Sequence, residues 1–305
     1  MSNMDQFLEE LEEFNIGKIE RDVSLDKYTT YRVGGIASAI IYPKNVECLV
    51  QVLRKAKTRN IPFKVLGFGS NLLFSSKRYD GILIRLDEFR DIEFLTPFKV
   101  RVGAGYSLVK LSMQTAKRGL TGLEFAAGIP GTVGGAVFMN AGAYKSDMGY
   151  VVQDVTVLTP DLKIIKLENK EMDFHYRTSF LQKHPGYICL EAVLRLDKGN
   201  KSAIEDVIRD RRKRRLESQP LNYPSAGSVF RNPEGMFAGK LIEDLGLKGF
   251  QIGGAKVSEK HANFIINYDH ATSEDIKSLI DYVKEKVRVE YQVELKVEQE
   301  FVNWE

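Results

Sequence analysis

The stretch from Gly119 to Tyr144 constrains the fold of this chain more than any other segment. It reads GLTGLEFAAGIPGTVGGAVFMNAGAY, with seven glycines and a single charged residue, Glu124. Flexible linkers are rich in Ser and in charged residues, so this composition is not typical of a linker. Glycine has no Cβ and allows positive φ angles, so the backbone can approach a ligand closely and its N–H groups can face phosphate oxygens. The stretch therefore indicates a ligand cradle or, as the alternative, a tightly packed loop of small residues.

A second glycine turn follows a short apolar run. FKVL (63–66) predicts a buried strand, and it runs directly into GFGSNLLFS, from Gly67 to Ser75. A strand followed by Gly-x-Gly-Ser favours a phosphate cradle, but the segment lacks the third glycine of G-x-G-x-x-G and the G-K-[ST] of a P-loop. Arg32 precedes another glycine pair in KYTTYRVGG (27–35), and its pattern alone is typical of a solvated surface arginine.

Composition and charge exclude several classes of protein. The 305 residues are 43% hydrophobic and 28% charged, as in ordinary globular proteins, and the net charge of +3 is too small to indicate a nucleic-acid partner by itself. Cys48 and Cys189 have no metal-ligand spacing, which favours a reducing compartment. The N-terminal segment lacks the features of a signal peptide, and no apolar run reaches the roughly 20 residues that span a bilayer. We therefore expect a cytoplasmic protein with no membrane partner.

Local patterns predict a mixed succession of helices and strands. The first helix carries Phe7, Leu11 and Phe14 on its apolar face, and the last segment alternates apolar and charged residues as a strand does. Helices are expected at 5–14, from Asn45 to about 60, from Ser107 to about 118, at 201–218, within 235–249 and after the capping pair Thr272 and Ser273. Strands are expected at 63–66, 81–86, 99–105, 187–196, 255–258, 262–268 and 293–302, with a hairpin at 151–167.

Five consecutive basic residues, Arg211 to Arg215, end the helix at 201–218. Cations near a helix C-terminus interact favourably with the helix dipole and are usually solvated. Binding of an anion or of nucleic acid is the alternative.

The local sequence around Ser228, Glu298 and the four histidines does not indicate a function. Ser228 has no G-x-S-x-G context and no neighbouring histidine, so a hydrolase nucleophile is poorly supported. Glu298 falls on the polar face of the last strand, as a solvated acid would. The four histidines form no ligand pair, so a metal enzyme is disfavoured.

Taken together, the motifs resemble one family along the whole chain, the UDP-N-acetylenolpyruvoylglucosamine reductases (MurB). The matching segments, in the family's order, are TTYRVGG, LGFGSNLL, GLEFAAGIPGTVGGAVFMNAGAY, YRTSF, QPLNYPSAGSVFRNP, AGKLIEDLGLKG and VELKVEQEF. The spacing between YRTSF and the Ser228 loop resembles the shorter subclass, which lacks an inserted tyrosine-bearing loop. Four positions depart from the usual pattern: Tyr31 replaces Phe, Phe68 and Lys145 replace Gly, and Val297 replaces Pro.

The resemblance implies an α+β fold, with an FAD-binding region of the vanillyl-alcohol-oxidase (PCMH) type and a C-terminal α+β substrate domain. It divides the chain into residues 1–200, which comprise two α+β subdomains with a core at about 30–198, and residues 201–305. The last strand, at about 293–302, is expected to return to the active site.

The resemblance also implies the reaction. NADPH reduces non-covalently bound FAD, and flavin N5 then passes hydride to the enolpyruvyl ether of UDP-N-acetylglucosamine enolpyruvate, which forms UDP-N-acetylmuramate for peptidoglycan. The expected partners are this UDP-sugar and NADPH, with no nucleic acid and no obligate protein partner.

Individual positions match the family's functional residues. Arg177 matches the contact with the substrate carboxylate, Ser228 matches the proton donor, and Glu298 matches the third catalytic residue, as a protonated acid or as a group that orients proton delivery. Tyr176 and Asn232 match substrate contacts, and one of residues 211–215 is a candidate for the substrate diphosphate. The residues that match the cofactor site are Arg32, Gly67, Gly69, Ser70, Asn71, Gly128, Ile129, Pro130, Gly131, Thr132, Gly134, Gly135, Asn140 and Gly142.

Two other hypotheses remain at this point. One is a different flavoenzyme on the same scaffold, an FAD-dependent oxidase or reductase that acts on another small molecule. The other is a nucleic-acid-binding protein that uses RRKRR, which predicts steeply salt-dependent binding and no flavin. The run has no interleaved aromatic residues, and this counts against the second hypothesis.

Overall fold

A computed structural model describes residues 2–305 as a mixture of α-helices and β-strands. The α-helices are α1 (Asn3–Glu13), α2 (Val46–Thr58), α3 (Leu108–Lys117), α4 (Val133–Met139), α5 (Met148–Val151), α6 (Phe180–Lys183), α7 (Lys201–Ser218), α8 (Ala238–Asp244) and α9 (Ser273–Tyr291). Two short 3₁₀ helices lie at Leu25–Lys27 and Glu124–Gly128.

The strands are short, and most of them lie in antiparallel pairs. They are β1 (Gly17–Ser24), β2 (Ile36–Pro43), β3 (Phe63–Val65), β4 (Leu72–Phe74), β5 (Tyr79–Ile84), β6 (Ile92–Thr96), β7 (Lys99–Gly103), β8 (Leu120–Thr121), β9 (Gly142–Ala143), β10 (Ser146–Asp147), β11 (Val152–Leu158), β12 (Ile164–Glu168), β13 (Ile188–Arg195), β14 (Asp197–Lys198), β15 (Gln251–Ile252), β16 (Ala255–Val257), β17 (Ile265–Asn267) and β18 (Glu300–Val302).

The chain forms two compact units that interleave along the sequence. The first unit comprises the described residues up to 21, with 38–67 and 80–213, and the second comprises 22–37, 68–79 and 214–305. The second unit therefore takes in two N-terminal segments, which contain the TTYRVGG motif and most of the GFGSNLL turn. The functional division at residue 200 stays a prediction.

Two sheets organise the first unit. One has the strand order β1-β2-β5-β3, and the other is an antiparallel sheet with the order β12-β11-β13-β7-β6. The expected hairpin forms as β11 and β12, with Leu158 opposite Ile164 at its closed end. Asn45 and Ser107 begin α2 and α3 as expected, because each side chain accepts a hydrogen bond from the amide three residues ahead. These elements surround one apolar core.

The second unit has a smaller core between α8, α9 and the three-stranded sheet β15-β16-β17. Thr272 caps α9 in a capping box with Asp275, and the buried Ile276, Leu279 and Ile280 face the core. A parallel pair of strands, β4 and β18, joins the segment after the glycine turn to the C-terminal segment, with Leu72 opposite Glu300.

Two local expectations are wrong. Phe14 is 59% exposed, because α1 ends at Glu13 and Phe14 is its C-cap; the buried face is formed by Phe7, Leu8 and Leu11. The strand expected at 293–302 is shorter, since only Glu300–Val302 is a strand and Val297 forms an isolated bridge with Phe230. The alternation of apolar and charged residues in this segment predicted a strand, but the buried Leu295 lies in a stretch that belongs to no sheet.

Candidate active site

The glycine-rich stretch places the start of α4 against the backbone of the first unit. Thr132 is the N-cap, and its Oγ1 accepts from the Gly135 amide at 3.2 Å. The Val133 and Gly134 amides donate to the carbonyls of Tyr106 and Ala104, both at 2.8 Å. These three amides are therefore used within the protein. Within residues 2–305, the amides of Gly131 and Thr132 donate to no acceptor, so they are the amides here that a phosphate group can engage.

Two neighbouring glycines of this stretch, Gly134 and Gly135, have different surroundings. A Cβ on Gly134 would lie 2.9 Å from the Ala104 Cβ, so packing alone requires glycine there. A Cβ on Gly135 would meet only Thr132 Oγ1, at an ordinary 3.4 Å, and Gly135 is exposed. Its open face fits the close approach of a group from outside the protein, as a bound dinucleotide requires.

The remaining residues expected around the cofactor in this unit lie in one continuous path. Gly128 ends the second 3₁₀ helix, Ile129, Pro130 and Gly131 form the loop before α4, Asn140 caps α4, and Gly142 begins β9. Gly67, at the end of β3, packs against this path, because a Cβ there would lie 2.9 Å from Thr132 Oγ1.

Asn140 joins the end of α4 to the turn that carries Arg177. It has a left-handed φ of 43° and is 1% exposed. Its Nδ2 donates to the His175 carbonyl at 2.8 Å, and its Oδ1 accepts from the Gly149 amide at 2.9 Å. Both side-chain contacts are internal to the protein, and a cofactor contact of Asn140 stays a prediction.

Arg177 lies in a tight turn between His175 and Thr178. The amide of each of these two residues donates to the carbonyl of the other at 3.0 Å. Arg177 itself has a φ of +55°, a left-handed conformation that costs a residue with a side chain roughly 1–2 kcal/mol and is common at functional sites. Its Nη2 donates to the Gly142 carbonyl at 2.7 Å, and its guanidinium lies 5.1 Å from the centre of the Tyr176 ring.

Gly142 has a steric reason to be glycine. A Cβ there would lie 2.5 Å from both the Asp147 Cβ and the Ser146 carbonyl oxygen, since β9 and β10 pair closely. The first unit thus brings Arg177, Tyr176, Asn140 and Gly142 together around one turn.

The basic run at the end of α7 is partly engaged with the protein. The Tyr144 hydroxyl donates to the Arg211 carbonyl at 3.2 Å, and the Arg211 guanidinium lies 4.6 Å from the centre of the Tyr144 ring. Arg215 Nε donates to Gln219 Oε1 at 3.0 Å. Binding of the substrate diphosphate by one of residues 211–215 stays a prediction.

The second glycine turn packs against the TTYR segment inside the second unit. Gly69 has a φ of +63°, and a Cβ there would lie 2.1 Å from the Tyr28 carbonyl oxygen, so only glycine fits. The Thr30 amide donates to the Gly69 carbonyl at 3.2 Å. Arg32 follows in a turn closed by its amide on the Thr29 carbonyl, with a φ of +56°, and it is exposed. An exposed guanidinium beside a glycine turn is suited to a phosphate group.

Asn71, which follows Ser70 in this turn, fixes the segment that carries Glu298. Its Nδ2 donates to the Glu298 carbonyl at 3.2 Å, and its own carbonyl accepts from the Glu300 amide at 2.9 Å. The Asn71 side chain, which is expected to contact the cofactor, is therefore also hydrogen-bonded to the Glu298 backbone within the second unit.

Ser228 and Glu298 lie on neighbouring segments of the second unit. The Glu298 amide donates to the Val229 carbonyl at 2.8 Å, and the Arg231 amide donates to the Lys296 carbonyl at 2.9 Å. These two bonds flank the antiparallel bridge between Phe230 and Val297. The Ser228 hydroxyl makes no hydrogen bond within the described part of the chain. Asn232, the other expected contact in this loop, is exposed, and its Oδ1 accepts from the Ala238 amide at the start of α8.

One buried contact of this region was missed by the sequence analysis. Tyr31 is fully buried, and its hydroxyl donates to Gln299 Oε1 at 3.0 Å; Gln299 Nε2 donates in turn to the Ala226 carbonyl at 3.2 Å. Burial raises the pKa of the Tyr31 phenol well above its ordinary value. Gln299, which follows Glu298, therefore connects Tyr31 to the loop that contains Ser228. The sequence feature that could have indicated this contact is Tyr31 itself, because the family usually has phenylalanine there.

Comparison with known proteins decides the family. The model of the UDP-N-acetylenolpyruvoylglucosamine reductase C-terminal domain matches residues 219–302, and that of an FAD binding domain matches residues 37–168. The UDP-N-acetylenolpyruvoylglucosamine reductase of Anoxybacillus flavithermus is 46% identical over 299 residues, which cover 98% of this chain and 99% of the relative. The chain belongs to the UDP-N-acetylenolpyruvoylglucosamine reductase (MurB) family.

Other MurB proteins give the same result. The Bacillus subtilis reductase is 43% identical over 299 residues, with the same coverage. The crystal structure of MurB from Thermus caldophilus matches with a TM-score of 0.81 and 35% identity, over 93% of this chain and 98% of that chain. The expected α+β fold and the FAD cofactor of the MurB family are thereby confirmed. In the described part of the chain, no helix combines the length and the hydrophobicity that a membrane span requires.

Proposed function

We propose that this chain reduces the enolpyruvyl ether of UDP-N-acetylglucosamine enolpyruvate to UDP-N-acetylmuramate, with NADPH as the source of electrons. Membership in the MurB family supports the reaction. The observation that carries the proposed catalytic roles is the hydrogen bond from the Glu298 amide to the Val229 carbonyl, which sets Glu298 beside the loop of Ser228. Bound FAD supplies the hydride chemistry. NADPH and UDP-sugars are cytoplasmic metabolites, so the proposal places the enzyme in the cytoplasm.

The chain's own groups suit a flavin dinucleotide. We assign the amides of Gly131 and Thr132 and the open face of Gly135 to close contact with the cofactor in the first unit. The turn at Gly69 and the exposed guanidinium of Arg32 have the same role in the second unit. Amide N–H groups and a guanidinium stabilise a pyrophosphate by charge-assisted hydrogen bonds.

Arg177 binds the carboxylate of the enolpyruvyl group in this proposal. When hydride adds to the β-carbon, negative charge develops on the α-carbon and the carboxylate, and a fixed cation stabilises that charge. The guanidinium is already oriented by the Gly142 carbonyl, and its planar shape matches a carboxylate.

Ser228 donates the proton to the α-carbon. A serine hydroxyl is a weak acid in water, but a carbanion is a far stronger base and can accept its proton. The hydroxyl makes no hydrogen bond to the protein in residues 2–305, so its proton is not already committed to an internal acceptor.

Glu298 has two possible roles. It polarises the substrate as a protonated acid, or it orients the delivery of the proton. The Glu298 amide donates to the Val229 carbonyl, and the Glu298 carbonyl accepts from Asn71 Nδ2. These two hydrogen bonds fix the backbone position from which the Glu298 side chain extends. Tyr176 and Asn232 complete the proposed substrate contacts, and one of residues 211–215 contacts the diphosphate.

The two half-reactions separate these roles. In Ser228→Ala, we expect anaerobic reduction of the flavin by NADPH at the wild-type rate, and reoxidation by the enolpyruvyl substrate slowed by about 10²-fold or more. Ser225→Ala removes a hydroxyl from the same loop and should leave both rates unchanged. If flavin reduction is lost in Ser228→Ala while FAD remains bound, the proton-donor assignment is wrong. If an alcohol exchanges electrons with the flavin and the enolpyruvyl substrate does not, the chain is a different flavoenzyme of this scaffold.

A further inference from the structure

The turn of Arg177 is held by a side chain to which no motif assigns a role. Gln182 lies in α6, and its Nε2 donates to the Phe138 carbonyl at 2.9 Å and to the Arg177 carbonyl at 3.1 Å. Both acceptors are backbone carbonyls, which only accept, so the NH₂ end of the amide has to face them. Gln182 therefore joins the backbone of Arg177 to the last turn of α4.

The end of α4 is a well-fixed anchor. The Phe138 carbonyl also accepts from the hydroxyl of Ser179, a fully buried residue, at 2.6 Å. Asn140, the C-cap of the same helix, donates to the His175 carbonyl on the other side of the turn. The turn is thus attached to α4 on both sides, through Asn140 before Arg177 and through Gln182 at Arg177 itself.

The left-handed backbone conformation of Arg177 depends on this attachment to α4. With a φ of +55°, Arg177 keeps its backbone only if the surrounding contacts maintain it. A rotation of the Arg177 carbonyl moves the adjoining peptide groups, and with them the Cα–Cβ direction and the guanidinium. The contact between Nη2 and the Gly142 carbonyl would then be lost.

We propose that Gln182 is a positioning residue for Arg177. By donating to the Arg177 carbonyl, it maintains the left-handed turn and aims the guanidinium at the carboxylate of the substrate. This inference rests on the proposed function, which gives Arg177 its contact with that carboxylate.

The first test removes the donor while it preserves the shape of the side chain. Gln182→Glu presents a carboxylate to two carbonyl oxygens, and we expect the KM for the enolpyruvyl substrate to rise about tenfold or more because the guanidinium is displaced. FAD content and the rate of flavin reduction by NADPH should stay at wild-type values. Gln114→Glu is the matched control, since Gln114 Oε1 accepts from the Tyr106 hydroxyl at 2.7 Å and a carboxylate retains that role. A KM for Gln182→Glu equal to that of Gln114→Glu would overturn the inference.

The second test asks whether Gln182 acts through Arg177. Gln182→Ala is combined with Arg177→Ala, and the rate of reoxidation by the enolpyruvyl substrate is measured in a double-mutant cycle. We expect Gln182→Ala to slow reoxidation in the wild-type background and to have no further effect once Arg177 is alanine. The same fold-loss in both backgrounds would show that Gln182 does not act through Arg177. Normal reoxidation by Arg177→Ala would instead refute the proposed role of Arg177, so the two failures are distinguishable.

Discussion

The buried hydroxyl of Tyr31 should stabilise the second unit through Gln299. Tyr31 is fully buried, Gln299 is 4% exposed, and the two side chains are joined by one hydrogen bond of 3.0 Å. Tyr31→Phe removes this bond and leaves Gln299 Oε1 buried without a donor. A buried polar atom that loses its partner costs about 1–3 kcal/mol, and no cavity is added because phenylalanine has nearly the same shape. We therefore expect the free energy of unfolding to fall by that amount.

Urea unfolding at a fixed excess of FAD measures this loss as a lower midpoint with an unchanged slope. Tyr150→Phe is the matched control, since Tyr150 is 76% exposed. Gln299→Leu alone should also be destabilising, because it leaves the Tyr31 hydroxyl buried without an acceptor. The double variant Tyr31→Phe with Gln299→Leu should be more stable than the sum of the two losses predicts, by about 1 kcal/mol or more, because no mismatched polar atom of the pair remains. A midpoint for Tyr31→Phe equal to that of Tyr150→Phe would refute this reasoning.

Two further predictions concern a strained turn and a half-buried histidine. Tyr144 and Lys145, between β9 and β10, both have a positive φ, of 55° and 60°. Lys145→Gly should relieve strain of about 1–2 kcal/mol, partly offset by roughly 0.5–1 kcal/mol because glycine makes the unfolded chain more flexible. Thermal unfolding should show a slightly higher midpoint for Lys145→Gly and no increase for Lys145→Ala, which keeps the strain. Burial, with a smaller contribution from Lys248, lowers the pKa of His261 below its ordinary value. The unfolded chain then binds the proton more tightly, so stability should decline as the pH falls from about 7 through the unfolded pKa near 6.5 and level off below the folded pKa. In His261→Asn, which keeps an acceptor for the Asn263 amide, this part of the pH dependence of urea unfolding should disappear; a slope equal to that of the wild type would contradict the assignment.

The sequence predicted those elements whose cause is local. The caps at Asn45, Ser107 and Thr272 and the hairpin of β11 and β12 follow from side chains and turns within a few residues of each other. The interleaving of the two units was not predictable from periodicity, because a hydrophobic pattern shows which face is buried and does not show which distant segment covers it.

The candidate site was predictable only through motifs. Arg177, Ser228 and Glu298 each have an unremarkable local pattern, and the resemblance to a known family assigned their roles. Gln182 and Gln299 escaped detection, since a polar residue that bonds to backbone carbonyls or to one distant hydroxyl has no periodic signature. Asn71 and Asn140 were expected at the cofactor, and the structure gives each of them an internal hydrogen bond, from Asn71 to the Glu298 carbonyl and from Asn140 to the His175 carbonyl.

In the proposed reaction, this chain passes electrons from NADPH to an enolpyruvyl ether. The most direct measurement is a single-turnover experiment under anaerobic conditions, in which the flavin of the wild-type protein is first reduced by one equivalent of NADPH. Addition of UDP-N-acetylglucosamine enolpyruvate should then restore the visible absorbance of oxidised flavin and yield one equivalent of UDP-N-acetylmuramate. A flavin that remains reduced in the presence of this substrate would contradict the account.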